Sequence, residues 1–203
     1  MAAEPPNHAV EFFDTQFRRQ AAAGEYALNP FEQAVLPFLS GEALDLGCGM
    51  GNLSIAAAAQ GCNVTALDAS AAGVADLAKR AAATGLPVDA READLRSYVP
   101  AQSYDSVVTI GLAMFFACPD AHALVGRIRD AVRPGGVAAV NVLIEGTTFM
   151  GMFTPGDYCL FGEHSLEEAF AGWKFEHLKF DAFPAPGDTV KRFCTVVARR
   201  PRA

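Results

Sequence analysis

Positive charge is scarce in this sequence, which has 16 lysine and arginine residues against 23 aspartate and glutamate residues and a formal net charge of −7. A surface with that balance is poorly suited to nucleic-acid phosphates or anionic lipid headgroups. The densest basic cluster is the terminal "ARRPRA", which a solvated chain end explains. We therefore expect neither nucleic acid nor a membrane as a partner.

Long apolar runs and clustered metal ligands are also missing. No stretch approaches the roughly 18 apolar residues of a membrane span, and the N-terminal "MAAEPPNHAVEFFDTQ" lacks the basic and apolar regions of a secretory signal. The five cysteines form no CxxC motif and no Cys/His cluster; they are Cys48, Cys62, Cys118, Cys159 and Cys194. This scatter favours reduced thiols in a cytoplasmic protein, without a metal site or a disulfide framework.

The chain of 203 residues is long enough for one well-buried core, so we expect a single domain. From residue 43 onwards, short apolar runs alternate with helical stretches, which is typical of a parallel sheet covered by helices on both faces. Strands are expected at 43–46, 63–67, 88–92, 104–110 and 137–144, and helices at 51–60, 71–83 and 120–132. The "RPGG" at 133–136 is expected to form a turn before the last of these strands.

Further elements flank this alternation. Two helices, 8–23 and 31–39, are expected before it. After it, a glycine- and phenylalanine-rich connection over 145–163 leads to a helix near 165–171 and to two alternating runs, "WKFEHLKFD" and "VKRFCTVVARR". These two runs are predicted to pair as antiparallel strands at the sheet edge.

A glycine-rich turn follows the first strand, within "EALDLGCGMGNLSIAAAAQGCNVTALDAS". Gly47, Gly49 and Gly51 lie where an open parallel sheet binds its ligand, and glycine leaves room for a ligand against the backbone. Asp68 ends the second strand, 21 residues after Gly47, where a carboxylate can accept hydrogen bonds from two ribose hydroxyls. This arrangement indicates an adenosine-containing ligand.

Two common adenosine ligands fit the turn poorly. The dinucleotide fingerprint places its third glycine at position 52, and Asn52 stands there, which counts against NAD. The phosphate loop of ATP-binding proteins needs a Gly-Lys pair, and no lysine occurs between residues 1 and 78. The turn therefore matches neither of these two phosphate-binding patterns.

The same stretch resembles the first two motifs of class I S-adenosylmethionine-dependent methyltransferases. "READLRSYVPAQSYDSVVTIG" and "IRDAVRPGGVAAVNV" are similar to the segments that follow in that superfamily. The resemblance covers about residues 40–145 and implies a Rossmann-like α/β fold with seven mostly parallel strands and an antiparallel C-terminal edge pair. It also implies an N-terminal helical cap (1–39), a cofactor-binding core (40–145) and a substrate-side region (146–203).

The resemblance further implies which residues contact S-adenosylmethionine and its product S-adenosylhomocysteine. Asp45 and the glycine turn would face the methionine part, Asp68 the ribose, and the segment around Asp94 the adenine. An ammonium group suits a carboxylate, and a carboxylate suits backbone N–H groups at a helix start. The expected cofactor residues are Asp45, Gly47, Cys48, Gly49, Gly51, Asn52, Leu53, Asp68, Ala69, Ser70, Ala93, Asp94, Leu95, Ile110 and Gly111.

Over most of its length the chain also resembles the tellurite-resistance (TehB-like) methyltransferases, through "VVTIGLAMFF", "FGEHSLEEAFAGWKFEHLKFD" and "RFCTVVARR". The expected acceptor-side residues are Tyr26, Phe31, Met114, Phe115, Phe116 and His164. The aromatic run after the fourth strand either walls a pocket or packs internally, and the N-terminal pair either closes as a lid or staples two helices. His164 is the one candidate catalytic residue, although flanking a helix N-cap explains it better.

The expected function is methyl transfer from S-adenosylmethionine to a small acceptor, such as a metalloid oxyanion like tellurite or selenite, or another soft nucleophile. The connection "FDAFPAPGDTVKR" departs from the tellurite-resistance pattern. Alternatives are methylation of a larger metabolite, such as a quinone precursor, or of a protein, and a non-catalytic S-adenosylmethionine sensor. Methyl transfer needs alignment more than a catalytic base, and we expect a monomer or homodimer.

Overall fold

The computed structural model describes residues 8–202. Seven strands form one sheet in the order β3-β2-β1-β4-β5-β7-β6, and β7 runs antiparallel to both of its neighbours. The strands are β1 (Glu42–Leu46), β2 (Asn63–Asp68), β3 (Val88–Glu92), β4 (Tyr104–Ile110), β5 (Val132–Leu143), β6 (Lys174–Ala185) and β7 (Thr189–Arg199). The predicted mostly parallel sheet with an antiparallel C-terminal pair is confirmed.

Helices cover both faces of this sheet. They are α1 (His8–Ala23), α2 (Pro30–Val35), α3 (Asn52–Ala59), α4 (Ala71–Thr84), α5 (Cys118–Ala131) and α6 (Ser165–Ala169), with 3₁₀ turns at Leu36–Phe38 and Ala113–Phe115. Asn29 begins α2 with a capping box, in which its side chain accepts from the Glu32 N–H and the Glu32 carboxylate accepts from the Asn29 N–H. None of the helices in the described residues is long and apolar enough to span a bilayer.

Alternation along the strands produces two hydrophobic layers. Leu44, Val107 and Val140 point to the side that α5 and α6 cover, whereas Ala43 and Val108 point to the side that α3 covers. Burial of both faces explains why the central strands are almost continuously apolar. The layers hold the strand ends, and the loops that follow them, in fixed positions.

Three expectations need correction. The "RPGG" segment lies inside β5 rather than before it, and the pairing of β4 with β5 is irregular there, between Tyr104 and Ser106. The helix expected over 31–39 is α2 followed by a 3₁₀ turn, since Pro37 cannot donate the backbone hydrogen bond that a continuing α-helix needs. Cys118 and Cys159 are joined in a disulfide, so the expectation of reduced thiols is wrong for this pair.

Candidate functional site

The site lies where the strand order reverses. The chain runs outward from β1 to β3 and then returns to the other side of β1 with β4, so a crevice opens between the carboxyl ends of β1 and β4. A cavity of about 720 Å³ occupies this crevice, a volume typical of small-molecule sites. Residues from the N-terminal helices, the strand ends, the 145–163 connection and β7 all line it.

The glycine turn forms the floor of the cavity. Gly47 and Cys48 donate their N–H groups to Leu67 O at 2.8 and 3.1 Å, which fixes the turn against β2. Gly47, Gly49 and Gly51 all have left-handed backbone with φ of 76°, 53° and 67°. A Cβ at Gly49 would lie 2.9 Å from the Phe17 ring, so this position has no room for a side chain.

The N-terminal end of α4 packs directly on this turn. A Cβ at Gly73 would lie 2.6 Å from the backbone oxygen of Gly49. Ser70 caps α4 by accepting the Gly73 N–H, and both Ala69 and Ser70 line the cavity beside the turn. The glycine at position 73 thus lets helix and loop approach closely.

Asp68 joins the two loops at the centre of the cavity. Its Oδ2 accepts the Gly49 N–H at 2.7 Å and its Oδ1 accepts the Ser70 N–H at 2.8 Å. Burial raises the pKa of this carboxyl above its ordinary value, and the backbone hydrogen bonds oppose that shift. The carboxylate lines the cavity at the end of β2.

Asp45 lies behind the turn rather than on the cavity surface. It is buried, and Ser54 Oγ donates to its Oδ2 at 2.6 Å. Burial raises its pKa to about 7, and the carboxylates of Glu32 and Asp68 act in the same direction. Leu53 is likewise buried in the core behind the turn. Asp45 therefore acts on the cavity through its charge.

Some of the remaining predicted cofactor residues line the cavity, and others pack behind it. Those that line the cavity, besides the residues already described, are Cys48, Asn52, Asp94, Leu95, Ile110 and Gly111. Ala93 packs against the core instead. Asp94 Oδ1 accepts the Arg96 N–H, which shapes the loop after β3. Most of the predicted set is therefore brought together around one space.

Helix α1 covers the cavity. The ring of Phe13 packs edge-on against Phe115 at 5.1 Å between centroids. Asp14 Oδ1 accepts both the Ser70 hydroxyl at 2.7 Å and the Ala72 N–H at 3.0 Å, which ties α1 to the start of α4. Sequence reasoning placed a lid here but missed Asp14, and its position four residues before Arg18 gave no signal of a contact with α4.

Opposite the glycine turn the cavity is apolar. Seven of its lining residues belong to one hydrophobic cluster: Ala9 and six larger side chains. We call these six the aromatic wall: Phe13, Phe31, Met114, Phe115, Met152 and Phe193. Phe31 and Phe193 are in contact at 4.7 Å between ring centroids. The polar glycine turn and the aromatic wall thus form two chemically different halves of one cavity.

Comparison with known proteins agrees with this geometry. A family model described as a methyltransferase domain matches residues 43–136. This part of the chain is therefore similar in sequence to a methyltransferase domain. The crystal structure of TehB from Haemophilus influenzae has the same fold, with a TM-score of 0.75 at 19% identity over 89% of this chain and 65% of that chain. The predicted Rossmann-like methyltransferase fold, with its likeness to TehB, is confirmed.

Two curated relatives match over part of their length. The ubiquinone biosynthesis O-methyltransferase of Paramagnetospirillum magneticum is 32% identical over 128 residues, which are 63% of this chain and 48% of the relative. Hemagglutinin 1 of Eikenella corrodens is 27% identical over 166 residues, which are 78% of this chain and 54% of the relative. The chain spans about half the length of these relatives.

Two residues predicted on the acceptor side, Tyr26 and His164, do not line the cavity. The Tyr26 hydroxyl donates to Asp76 Oδ1 at 3.2 Å, and its ring stacks under the Arg80 guanidinium. His164 is exposed on the N-terminal side of α6 and pairs through Nδ1 with Glu167 at 2.9 Å, which raises the pKa of His164. His164 therefore flanks the start of a helix, which is the interpretation that the sequence favours.

Several lining residues were missed from the sequence. Asn141 on β5 lines the cavity and donates through Nδ2 to Thr195 Oγ1 at 2.9 Å. A single amide within the apolar run "VAAVNVL" was the available signal. Lys191 on β7 and Phe149 in the preceding connection also line the cavity, and their meeting depends on tertiary structure that no local pattern reports.

Proposed function

We propose that this chain is an S-adenosylmethionine-dependent methyltransferase whose acceptor is a small, largely apolar molecule with an aromatic body. One observation carries the proposal: the glycine turn with Asp68 and the aromatic wall line the same cavity. A donor held on the polar half therefore meets an acceptor held on the apolar half.

The polar half fits the cofactor by its shape and its free hydrogen-bonding groups. Cβ atoms at the glycine turn would collide with their neighbours, so the backbone itself is the binding surface. Asn52 Oδ1 is buried without a hydrogen-bond partner among residues 8–202 and belongs to a residue that lines the cavity. We infer that Asp68 binds the ribose hydroxyls and that Ser70, Asp94 and Leu95 surround the adenine.

The residues of the chain then act by positioning. The bound cofactor supplies an activated methyl group on a sulfonium. The aromatic wall excludes water, and ring faces such as that of Phe115 stabilise a nearby cation. The side chains orient the acceptor nucleophile in line with the methyl group. Alignment of this kind accounts for much of the rate enhancement of a methyl transfer. An acceptor whose nucleophile has already lost its proton to solvent, such as a phenolate, needs no protein base for this role.

The acceptor half favours an apolar acceptor over an oxyanion. A tellurite-like oxyanion needs several converging cations or N–H groups, whereas the described lining is mainly phenylalanine and methionine on this side, with one lysine. The relative from Paramagnetospirillum is named for ubiquinone biosynthesis, which agrees with an aromatic acceptor. A cytoplasmic location stays a prediction.

Titration calorimetry with S-adenosylhomocysteine, NAD and ATP tests the proposal. We expect the first ligand alone to bind, and Asp68→Asn to weaken it at least tenfold, or about 1.4 kcal/mol. Asp89→Asn, an exposed aspartate on the neighbouring strand β3, is the matched control and should bind normally. Binding of NAD in place of S-adenosylhomocysteine would refute the cofactor.

Labelled methyl transfer then tests the acceptor. Incubation with methyl-labelled S-adenosylmethionine should label a hydroxylated naphthoquinol and leave tellurite unmethylated. Labelling of tellurite alone would refute the apolar acceptor and favour the oxyanion prediction.

A further inference from the structure

The charges around the cavity are unevenly distributed. Its described lining carries four carboxylates, from Glu25, Glu32, Asp68 and Asp94. These belong to the α1–α2 segment, to the end of β2 and to the loop after β3. Among the described lining residues there is one cationic side chain, that of Lys191.

Lys191 lies at the edge of the aromatic wall. It is two residues before Phe193 on β7, so both side chains project from the same face of that strand. Its ammonium lies 4.6 Å from the centroid of the Phe149 ring, a cation–π contact. The cation is therefore held beside the space that the proposed acceptor occupies.

Among residues 8–202, the ammonium of Lys191 has no carboxylate partner. Ion pairs between residues 8–202 include other lysines of the C-terminal strands, such as Lys179 with Asp181 at 2.7 Å, but none includes Lys191. The next residue, Arg192, is occupied: its Nη1 donates to Glu145 O at 3.0 Å, and its Nη2 lies 4.0 Å from Glu163. A partly buried lysine without an anion is costly, and a bound anion would offset that cost.

We propose that the acceptor carries an anionic group, a carboxylate or sulfonate, that pairs with Lys191 while its aromatic body packs on the wall. This inference rests on the proposed function and makes Lys191 a specificity-determining residue. The other charged residues of the described lining are carboxylates, which repel an anion. Such a molecule therefore has one favourable orientation. Its anion points to β7 and its nucleophile points to the glycine turn.

A matched pair of fluorescent probes tests the inference. 8-Anilinonaphthalene-1-sulfonate and N-phenyl-1-naphthylamine share an aromatic body and differ in the sulfonate. In protein saturated with S-adenosylhomocysteine, we expect the sulfonate to bind about tenfold more tightly, with a preference that decreases at high salt. Lys191→Met should abolish the preference and leave the neutral probe unchanged.

Lys179→Met is the control, because this lysine is exposed and paired on the neighbouring strand. It should keep the sulfonate preference. Equal affinities in the wild-type protein, including no binding of either probe, would overturn the inference, as would a preference that survives in Lys191→Met. Failure of S-adenosylhomocysteine to bind in calorimetry would instead overturn the proposed function, so the two failures are distinguishable.

Discussion

The environment of the Asp45 carboxyl group opposes its ionisation. It is 6% exposed, and its one side-chain hydrogen bond comes from Ser54. The carboxylates of Glu32 and Asp68 oppose its ionisation, and Asp45 in turn helps to raise the pKa of the Cys48 thiol. With a pKa of about 7 in the folded protein, Asp45 is half protonated near neutral pH.

Asp45→Asn should change how stability depends on pH. The pKa of Asp45 is raised above its unfolded value, so between about pH 4 and pH 7 the folded state holds a proton that the unfolded state has lost. Stability therefore decreases as pH rises through this window, by at most about 1.4 kcal/mol per pH unit from this group. The variant lacks this contribution, so its stability relative to wild type should rise from pH 5 to pH 7.5.

Urea unfolding at four pH values in that range measures the difference. Ser54→Ala is the control, because it keeps the carboxylate and removes the hydrogen bond that stabilises its charged form. Parallel stability curves for wild type and Asp45→Asn would contradict the assignment.

At the scale of the residue, the sequence predicts those site positions that the spacing of nearby residues determines. Gly47, Gly49, Gly51 and Asp68 are recognisable because the turn and the strand end fix their positions. Lys191 belongs to β7, which lies between β5 and β6 and pairs with β5 across a long connection, so its approach to the cavity depends on packing.

The largest correction belongs to the scale of the element. The Cys118–Cys159 disulfide links the first residue of α5 to the 145–163 connection. Cys159 also donates its backbone N–H to Met114 O at 3.0 Å. The connection that covers the acceptor half is therefore anchored beside the aromatic wall. The sequence separation of 41 between the two cysteines kept the pairing out of any motif.

Thiol titration and unfolding test this link. Denatured, unreduced protein should expose three thiols, those of Cys48, Cys62 and Cys194, and five after reduction. Cys118→Ser should lower the free energy of unfolding by about 2–4 kcal/mol, because the open chain gains conformational freedom. Adding reductant to this variant should change nothing further. Five thiols without reductant would show that the disulfide is absent.

Other elements show where local rules were sufficient. The alternation of strands and helices reflects burial on both faces, and every predicted strand of the core is present within a few residues. The "RPGG" segment differs because it bulges from the ladder with β4, between the Tyr104–Val132 and Ser106–Val137 pairs. Gly135, with a φ of 81°, donates its N–H to Arg200 O, and Gly136 O accepts the Arg200 N–H, so the segment is held beside the end of β7. Long-range hydrogen bonds thus hold a segment whose local signal predicts a turn.

For the whole molecule, the main question is how a ligand reaches a cavity that α1 covers. Phe13 of α1 packs against Phe115 within the aromatic wall, and Phe17 lies on the glycine turn. The polar attachment of α1 to the start of α4 runs through Asp14. The hydrogen bonds from Ser70 and Ala72 lower the pKa of Asp14, as expected for a carboxylate stabilised in its charged form. Opening requires these contacts to break together.

Asp14→Ala should convert α1 from a closed to a frequently open cover. Amide hydrogen exchange over residues 8–23 should be faster in the variant, because local opening no longer costs two hydrogen bonds to a carboxylate. S-adenosylhomocysteine should slow this exchange in the wild-type protein and dissociate faster from the variant. Glu11→Ala is the control, since this residue of the same helix is exposed. Unchanged exchange over α1 with unchanged dissociation would show that α1 is a fixed part of the fold and that the ligand enters by another face.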